Sequence, residues 1–181
     1  MAAIKSQILV DGSGSTNGET IGVISDTHIP TRARKIPSKV LSTFDNVDLI
    51  VHAGDLVDIS VVETLKRIAP VLAVYGNMDG PEIRQRFPRL NSTRVLDWKI
   101  GVMHDPGALF GSKKMREIAK DNSLHVLIYG HTHSPKIKWK EGTLFINPGS
   151  PTNPIPPFIT RPSVAVITVT RDRITPRIIA I

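Results

Sequence analysis

Seven residues of this 181-residue chain combine side chains that bind divalent metal ions with a suggestive spacing. Imidazole nitrogens combined with carboxylate and amide oxygens suit hard or borderline divalent cations. The chain has no cysteine, so no thiolate is available as a ligand or as a nucleophile. The sequence therefore predicts a metal site built from nitrogen and oxygen ligands, and the candidates are Asp26, His28, Asp55, Asn77, His104, His131 and His133.

The spacing of these residues favours a shared cavity. Two pairs are separated by a single residue, so that both members can point the same way from a loop: Asp26 with His28, and His131 with His133. A glycine stands immediately before three of the candidates: Asp55, Asn77 and His131. Glycine permits positive φ and close backbone approach, which lets the chain turn sharply and present the next side chain.

The sequence lacks the arrangements that would indicate another nucleophile. We find no Ser-His-Asp or Cys-His set and no glycine-rich phosphate loop of the GxxxxGK[ST] type. Water activated by metal is then the natural nucleophile. Two ions about 3.5–4 Å apart can lower the pKa of a bridging water and hold the phosphate oxygens during in-line displacement. Asp55 is the best candidate for a carboxylate that bridges such a pair.

The elements that position these residues are strands followed by turns. A β-α-β-α-β pattern at the start of the chain predicts a parallel sheet with right-handed crossovers. Ligands of such sheets bind beyond the carboxyl ends of the strands. Five predicted strands are each followed by a candidate ligand: Ile21–Ser25, Asp48–Ala53, Pro70–Tyr75, Lys99–Met103 and His125–Tyr129.

The remaining patterns complete one domain. Helices are predicted at Pro37–Phe44, Ser60–Ala69, Pro81–Phe87 and Ser112–Asp121. Ser60 is expected to cap its helix, with Glu63 completing a capping box. Further strands are predicted at Thr93–Asp97, Lys136–Lys140, Thr143–Ile146, Ser163–Thr170 and Arg173–Ile179. Residues 1–20 are interpreted as a flexible segment, consistent with an expression remnant, and residues 21–181 as a single domain.

The chain resembles the calcineurin-like metallophosphoesterase superfamily, and most closely its small single-domain branch of bacterial and archaeal phosphodiesterases. Five motifs carry the resemblance, in order: Asp26-x-His28, Gly54-Asp55, Gly76-Asn77, His104 and Gly130-His131-x-His133. The segment Asn147-Pro148-Gly149-Ser150 is also similar to that branch. The resemblance implies an α/β fold: a four-layer α-β-β-α sandwich in which two facing mixed β-sheets are flanked by helices.

The resemblance also implies two metal sites that share Asp55. The first would comprise Asp26, His28, Asp55 and His133. The second would comprise Asp55, Asn77, His104 and His131. Mn²⁺ is the expected ion, while Ni²⁺, Fe²⁺, Co²⁺ and Zn²⁺ are compatible with the same ligands. Asn77 and His104 are further expected to contact the phosphate in the transition state.

The implied function is hydrolysis of a phosphate ester, most of all a phosphodiester, by metal-activated water. Two alternatives stay open. One is a protein-interaction scaffold like the retromer subunit of similar fold, and the other is a small nuclease of the same superfamily. Competent residues fill every ligand position, which favours the enzyme. Superfamily nucleases usually carry extra domains to hold DNA, and this chain is too short for them.

Two residues depart from the family pattern. Met78 stands where many members have a histidine, and a thioether cannot donate a proton. We therefore expect slow turnover of esters with poor leaving groups. Asp105 follows His104 where relatives often have glycine, and it either bonds an imidazole ligand or only shapes a turn. His52 is expected in the core rather than behind the site. Asp79 is expected at the start of a helix, and whether it also supports Asn77 is left open.

The bulk properties fit this interpretation. The net charge of +7 comes from scattered lysines and arginines, so a basic surface is favoured over a nucleic-acid site. A hydrophobic fraction of 40% is ordinary for a globular protein. No apolar stretch approaches the roughly 18 residues that cross a bilayer, and no secretory signal is evident. We expect a cytoplasmic protein with a small phosphate ester as substrate and no membrane partner; a homo-oligomer is compatible with the sequence.

Overall fold

A computed structural model describes residues 18–107, 112–154 and 161–181, so most of the predicted flexible segment lies outside the described residues. The helices in these ranges are α1 (Ser38–Thr43), α2 (Ser60–Leu65), α3 (Pro81–Arg86) and α4 (Ser112–Asp121). The strands are β1 (Glu19–Ile24), β2 (Leu49–His52), β3 (Val71–Ala73), β4 (Leu90–Val95), β5 (Trp98–Met103), β6 (Val126–Ile128), β7 (Lys136–Lys140), β8 (Thr143–Asn147), β9 (Ser163–Val169) and β10 (Ile174–Ala180).

The strands form two five-stranded sheets. The first has the order β10-β9-β1-β2-β3, in which β1, β2 and β3 are parallel as predicted, while β9 and β10 join in antiparallel fashion. The second has the order β4-β5-β6-β8-β7, with β5, β6 and β8 parallel and antiparallel strands at both edges. Both sheets are therefore mixed, which confirms that part of the predicted fold class.

The alternation of apolar residues along the strands sorts them into layers. Ile21 and Val23 of β1 face the second sheet, where they join Ile100 and Val102 of β5 in the central core. Ile24 lies in a separate cluster with residues of α1, α2 and α3. Another cluster packs α4 against the outer face of the second sheet. The order helix, sheet, sheet, helix confirms the predicted four-layer sandwich. No helix among the described residues is long and apolar enough to cross a bilayer.

Some element boundaries differ from those predicted. β1 begins at Glu19, two residues early, because Glu19 and Thr20 continue the antiparallel pairing with β9. The predicted capping box is wrong: no side chain caps α2 at its N-cap residue, and the Asp58 carboxylate instead accepts the N–H of Ser60 over 2.8 Å. Helix α2 also ends at Leu65, short of the predicted Ala69.

Candidate metal centre

The loops after β1, β2, β3, β5 and β6 meet at one end of the sandwich. The backbone N–H of Asp26 donates to the carbonyl of Gly54 over 3.0 Å, and the N–H of Gly130 donates to the carbonyl of His104 over 3.0 Å. The Nδ1 atom of His104, on the second sheet, lies 2.8 Å from the carbonyl oxygen of Ala53 on the first. All seven candidate ligands stand on these loops and are brought together.

Asp26, His28 and His133 form what we call the buried half of the cluster. Their exposed fractions are 0%, 6% and 8%. His133 Nε2 lies 3.3 Å from Asp26 Oδ1 and 3.2 Å from His28 Nε2. His133 Nδ1 lies 2.5 Å from the carbonyl of Asn153, so Nδ1 carries the proton and Nε2 presents its lone pair to the cluster. The three ligating atoms are close enough together to hold one ion.

Asn77, His104 and His131 form the open half, because Asn77 is exposed and His131 is only partly covered. Asn77 Oδ1 lies 2.9 Å from His104 Nε2 and 2.9 Å from His131 Nδ1. The carbonyl of Ala53 holds the proton of His104 on Nδ1, which directs Nε2 inward. His131 presents the opposite nitrogen, a choice that residue spacing does not reveal.

Asp55 lies between the two halves. Its Oδ2 is 3.8 Å from His28 Nε2 and 3.4 Å from His104 Nε2. Its Oδ1 accepts the backbone N–H of Met78 over 2.8 Å. Asp26, Asp55 and His104 also place one ligating atom each within mutual reach, so Asp26 lies close to both halves, which the family resemblance did not imply.

The carboxylates set the protonation of the imidazoles in the absence of metal. Burial lowers the pKa of His104, but contact with Asp55 and the charge of Asp26 outweigh it and raise the pKa to about 9. Burial likewise opposes a net rise in the pKa of His133, which Asp26 causes. Burial dominates at His28 and lowers its pKa. At Asp55, burial would raise the pKa, but His104 and the Met78 N–H hold it below its usual value.

Five of the seven candidates have left-handed backbone conformations. Their φ angles range from 45° to 68°, and the residues are Asp26, His28, Asp55, His131 and His133. Non-glycine residues adopt this region at a cost of about 1–3 kcal/mol each, so it persists only where surrounding contacts impose it. Such residues concentrate at functional sites, and here the conformation turns successive side chains toward one point.

The three glycines divide the two predicted uses of glycine between them. Only Gly54, with φ of 87°, uses a positive φ before a candidate ligand. A Cβ on Gly76 would collide with the carboxylate and backbone of Asp55, and a Cβ on Gly130 would collide with Ser25 and Asp26. These two glycines therefore serve close backbone approach, whereas the ligands themselves adopt the left-handed conformation.

Asp79 is a supporting residue whose importance the sequence understated. It is 3% exposed, and its carboxylate accepts three backbone N–H groups, from Asp55 over 3.0 Å, Val57 over 2.7 Å and Gly76 over 2.7 Å. The carboxylate thus ties the Asp55 loop to the Asn77 loop. Its position two residues after Asn77 was the available signal.

The segment that resembled the family without an assigned role also supports the cluster. Asn147 Nδ2 donates to the carbonyl of Gly130 over 2.8 Å, which fixes the turn before His131. Ser150 Oγ donates to the carbonyl of Asp26 over 2.8 Å. Asn147 and Ser150 are both fully buried, and no pattern in the sequence around them indicated these contacts.

The residues whose roles were left open are now placed. Asp105 shapes a turn, in which its Oδ1 accepts the N–H of Gly107, while its Oδ2 lies 4.0 Å from His131 Nε2, beyond hydrogen-bond distance. Met78 does not fill a gap, since it is 59% exposed. His52 is fully buried and accepts the N–H of Gly54 at Nδ1 over 3.2 Å, so it is a core histidine that also supports the Asp55 turn. His125 packs edge-on against Trp98 and is structural.

Known proteins share this sequence pattern. The profile of the calcineurin-like phosphoesterase superfamily domain matches residues 20–172. A probable metallophosphoesterase of Methanocaldococcus jannaschii is 46% identical over 136 residues, which cover 74% of this chain and 69% of the relative. A phosphodiesterase of the same archaeon is 31% identical over 139 residues, which cover 71% of this chain and 82% of that protein.

The fold is shared with solved structures as well. Vacuolar Protein Sorting 29 from Cryptosporidium parvum matches with a TM-score of 0.76 at 24% identity, covering 91% of this chain and 99% of the other. At that identity the likeness concerns the fold alone. The profile match includes all five loops of the cluster and most of the chain. The chain therefore belongs to the calcineurin-like phosphoesterase superfamily.

Proposed function

We propose that this chain is a phosphodiesterase that works through two divalent metal ions, with Mn²⁺ as the expected ion. One observation carries the proposal: seven nitrogen and oxygen ligands from five loops converge in two halves, with the Asp55 carboxylate between them. The phosphodiesterase of M. jannaschii that shares 31% identity supports the choice of diesters as the substrate class.

The cluster has the chemistry of a metal site. His28 Nε2 and His133 Nε2 lie only 3.2 Å apart beside the Asp26 carboxylate, a grouping of nitrogen and oxygen atoms that a cation would stabilise. The second nitrogens of His104 and His133 are bonded to backbone carbonyls, which fixes both rings with Nε2 facing inward. In this proposal Asp26, His28, Asp55 and His133 hold one ion, while Asp55, Asn77, His104 and His131 hold the other.

Bound ions would supply the Lewis acidity that makes water nucleophilic at neutral pH and offsets charge on the phosphate oxygens. The protein supplies the rest. Asp55 holds the two halves together, and its own position is fixed by the Met78 N–H and by Asp79. Asn77 and His104 lie on the open side and are the candidates for contact with the phosphate. Because the thioether side chain of Met78 carries no proton to donate, departure of the alcohol depends on the acidity of that alcohol.

The test is a combined metal and activity measurement. Purified protein dialysed against Mn²⁺ is expected to hold two ions per chain and to hydrolyse bis(p-nitrophenyl) phosphate. Asp55→Asn keeps the size of the side chain but lowers its charge, so we expect it to lose both activity and at least one ion. Wild-type protein that binds two ions without hydrolysing any diester would contradict the enzymatic proposal.

A scaffold role is the second candidate, favoured by one feature of the surface. Ile137 and Trp139 on the edge strand β7 are 37% and 51% exposed. The fold is also that of Vacuolar Protein Sorting 29. A scaffold does not need a competent residue at every ligand position, so we place the enzyme first. Cleavage of single-stranded DNA in the same assay would instead promote the nuclease alternative.

A further inference from the structure

A cavity of about 320 Å³ adjoins the open half of the candidate metal centre. Asn77, His104 and His131 line one side of it. Arg84 and Arg89 line another part of its wall. A phosphate ester held at the open half would therefore extend one of its arms into a space that contains two guanidinium groups.

Arg84 is committed to the protein itself. Its Nε donates to the carbonyl of Asp79 over 2.7 Å, and its Nη2 donates to the carbonyls of Gly76 and Asn77 over 3.2 and 3.0 Å. Its guanidinium carbon also lies 4.9 Å from the centre of the Tyr75 ring. These contacts hold the loop that carries Asn77, and they fix a positive charge and an aromatic ring at the wall of the cavity.

Arg89 is different, because no hydrogen bond or ion pair engages it within the described part of the chain. It is exposed and lines the same cavity. Its neighbour Arg86, by contrast, lies 3.4 Å from Glu82 in an ion pair and does not line the cavity. A guanidinium presents five N–H donors in a planar fork that matches carboxylate and phosphate oxygens. Arg89 thus has N–H donors that no described residue engages, and a ligand in the cavity can accept them.

The other residues of the cavity wall do not cancel the positive charge of the two arginines. Among the residues that the structure describes, Asp105 is the only carboxylate lining the cavity, and it lies 4.0 Å from His131 Nε2 and accepts the N–H of Gly107. Two guanidinium groups therefore stand against one carboxylate. Tyr75 and Met103 add apolar surface, which suits the carbon skeleton of an ester arm.

We propose that Arg89 makes this cavity a subsite for an ester arm that carries a second anionic group, a carboxylate or a further phosphate. The proposal rests on the proposed function, because it takes the phosphate ester to be bound at the open half. Arg89 would bind the second anion directly, whereas Arg84 keeps the Asn77 loop and the cavity wall in place. Substrates with two anionic groups would then be preferred over matched substrates with one.

Binding of unreactive phosphonates tests this without depending on turnover. Calorimetry on the Mn²⁺-loaded protein would compare phenylphosphonate with its para- and meta-carboxyl derivatives. We expect wild-type protein to bind at least one carboxyl derivative about tenfold more tightly, a typical gain for a hydrogen bond between charged groups. Arg89→Gln should give similar affinities for phenylphosphonate and its carboxyl derivatives. Its affinity for phenylphosphonate should stay within about twofold of the wild-type value.

Arg86→Gln is the matched control, since it removes the same charge three residues away without altering the cavity wall. It should keep the wild-type preference and the wild-type hydrolysis of bis(p-nitrophenyl) phosphate. Equal affinity of wild-type protein for phenylphosphonate and its carboxyl derivatives, a lack of binding to all of them, or a preference that survives Arg89→Gln would each overturn the subsite. Absence of diester hydrolysis with the preference intact would instead overturn the proposed function alone.

Discussion

The two halves of the candidate metal centre use similar residues in opposite settings. In the buried half, the ligands are almost inaccessible and a backbone carbonyl fixes His133. In the open half, Asn77 is exposed and a cavity adjoins the imidazoles. An ion bound in the first setting would be shielded from solvent, whereas an ion bound in the second would be accessible to a substrate. In the proposed function, the first half would therefore retain its ion and the second would contact the substrate.

The sharpest way to break this comparison is to remove one imidazole from each half. His133→Ala should lose the ion of the buried half, and activity should fall by more than about 100-fold, beyond the 10–100-fold typical of residues that only support a ligand. His131→Ala should keep the buried ion and lose the other. Metal analysis per chain after dialysis against a chelator distinguishes the two. Loss of both ions from His131→Ala would show that the halves are not separable.

The link between the halves can be tested at Asp79. Asp79→Ala leaves three backbone N–H groups unpaired behind Asp55 and Gly76, so we expect the free energy of unfolding to fall by about 3 kcal/mol or more. Activity should fall by about 10–100-fold as the loops lose their relative position. Urea denaturation and diester hydrolysis give the two values. The control is Asp58→Ala, which removes an exposed carboxylate bonded to a single N–H and should cost about 1 kcal/mol.

The catalytic character of the open half can be sharpened at Met78. Because Met78 is 59% exposed beside Asn77, a histidine has room there to reach a leaving oxygen. Met78→His should speed hydrolysis of alkyl esters by about tenfold, below the roughly 10²–10⁴-fold of a fully positioned general acid. Aryl esters with good leaving groups should change little. The measurement is the dependence of rate on leaving-group acidity, and an unchanged dependence would show that Met78 does not limit proton donation.

The smallest effect at neutral pH is expected at His52, which supports the centre from within the core. Burial lowers the pKa of His52 from 6.5 to about 3, so the folded protein keeps it neutral. The stabilisation is complete above pH 6.5 and is lost as pH falls toward 3, by up to about 1.4 kcal/mol per pH unit. In urea denaturation, His52→Gln should reduce the loss in the free energy of unfolding as the pH falls from 6.5 toward 3. The same pH dependence of the free energy of unfolding in both proteins would contradict a neutral His52 in the folded state.

The sequence predicted the architecture well because strand periodicity and strand-end chemistry are local signals. Apolar runs such as that ending before Asp26 identify a buried parallel strand, and the residue after such a strand lies at the binding edge. Helix ends were less predictable. At the start of α2, the carboxylate of Asp58 accepts a backbone N–H where the side chain of Ser60 was predicted to do so. Either short polar side chain can accept an N–H at such a position.

What escaped prediction depends on contacts between residues distant in sequence. Ser150 bonds the backbone of Asp26 across 124 positions, and no short spacing can indicate that pair. The nitrogen that His104 presents is set by such a distant partner, the carbonyl of Ala53. No sequence pattern indicated a binding role for Arg89, because its place on the cavity wall becomes apparent only in the folded structure.

The contact between His104 and Ala53 joins the two sheets at the end where the metal ligands lie. At the other end, Trp98 Nε1 donates to the carbonyl of Thr170 over 2.7 Å and joins the same two sheets without any ligand residue. These two contacts between the sheets therefore differ in their setting, because a cation bound by the ligands would lie beside the first and away from the second. Amide hydrogen exchange near Ala53 and His104 should consequently slow on metal loading, while the edge around Trp98 keeps its rate.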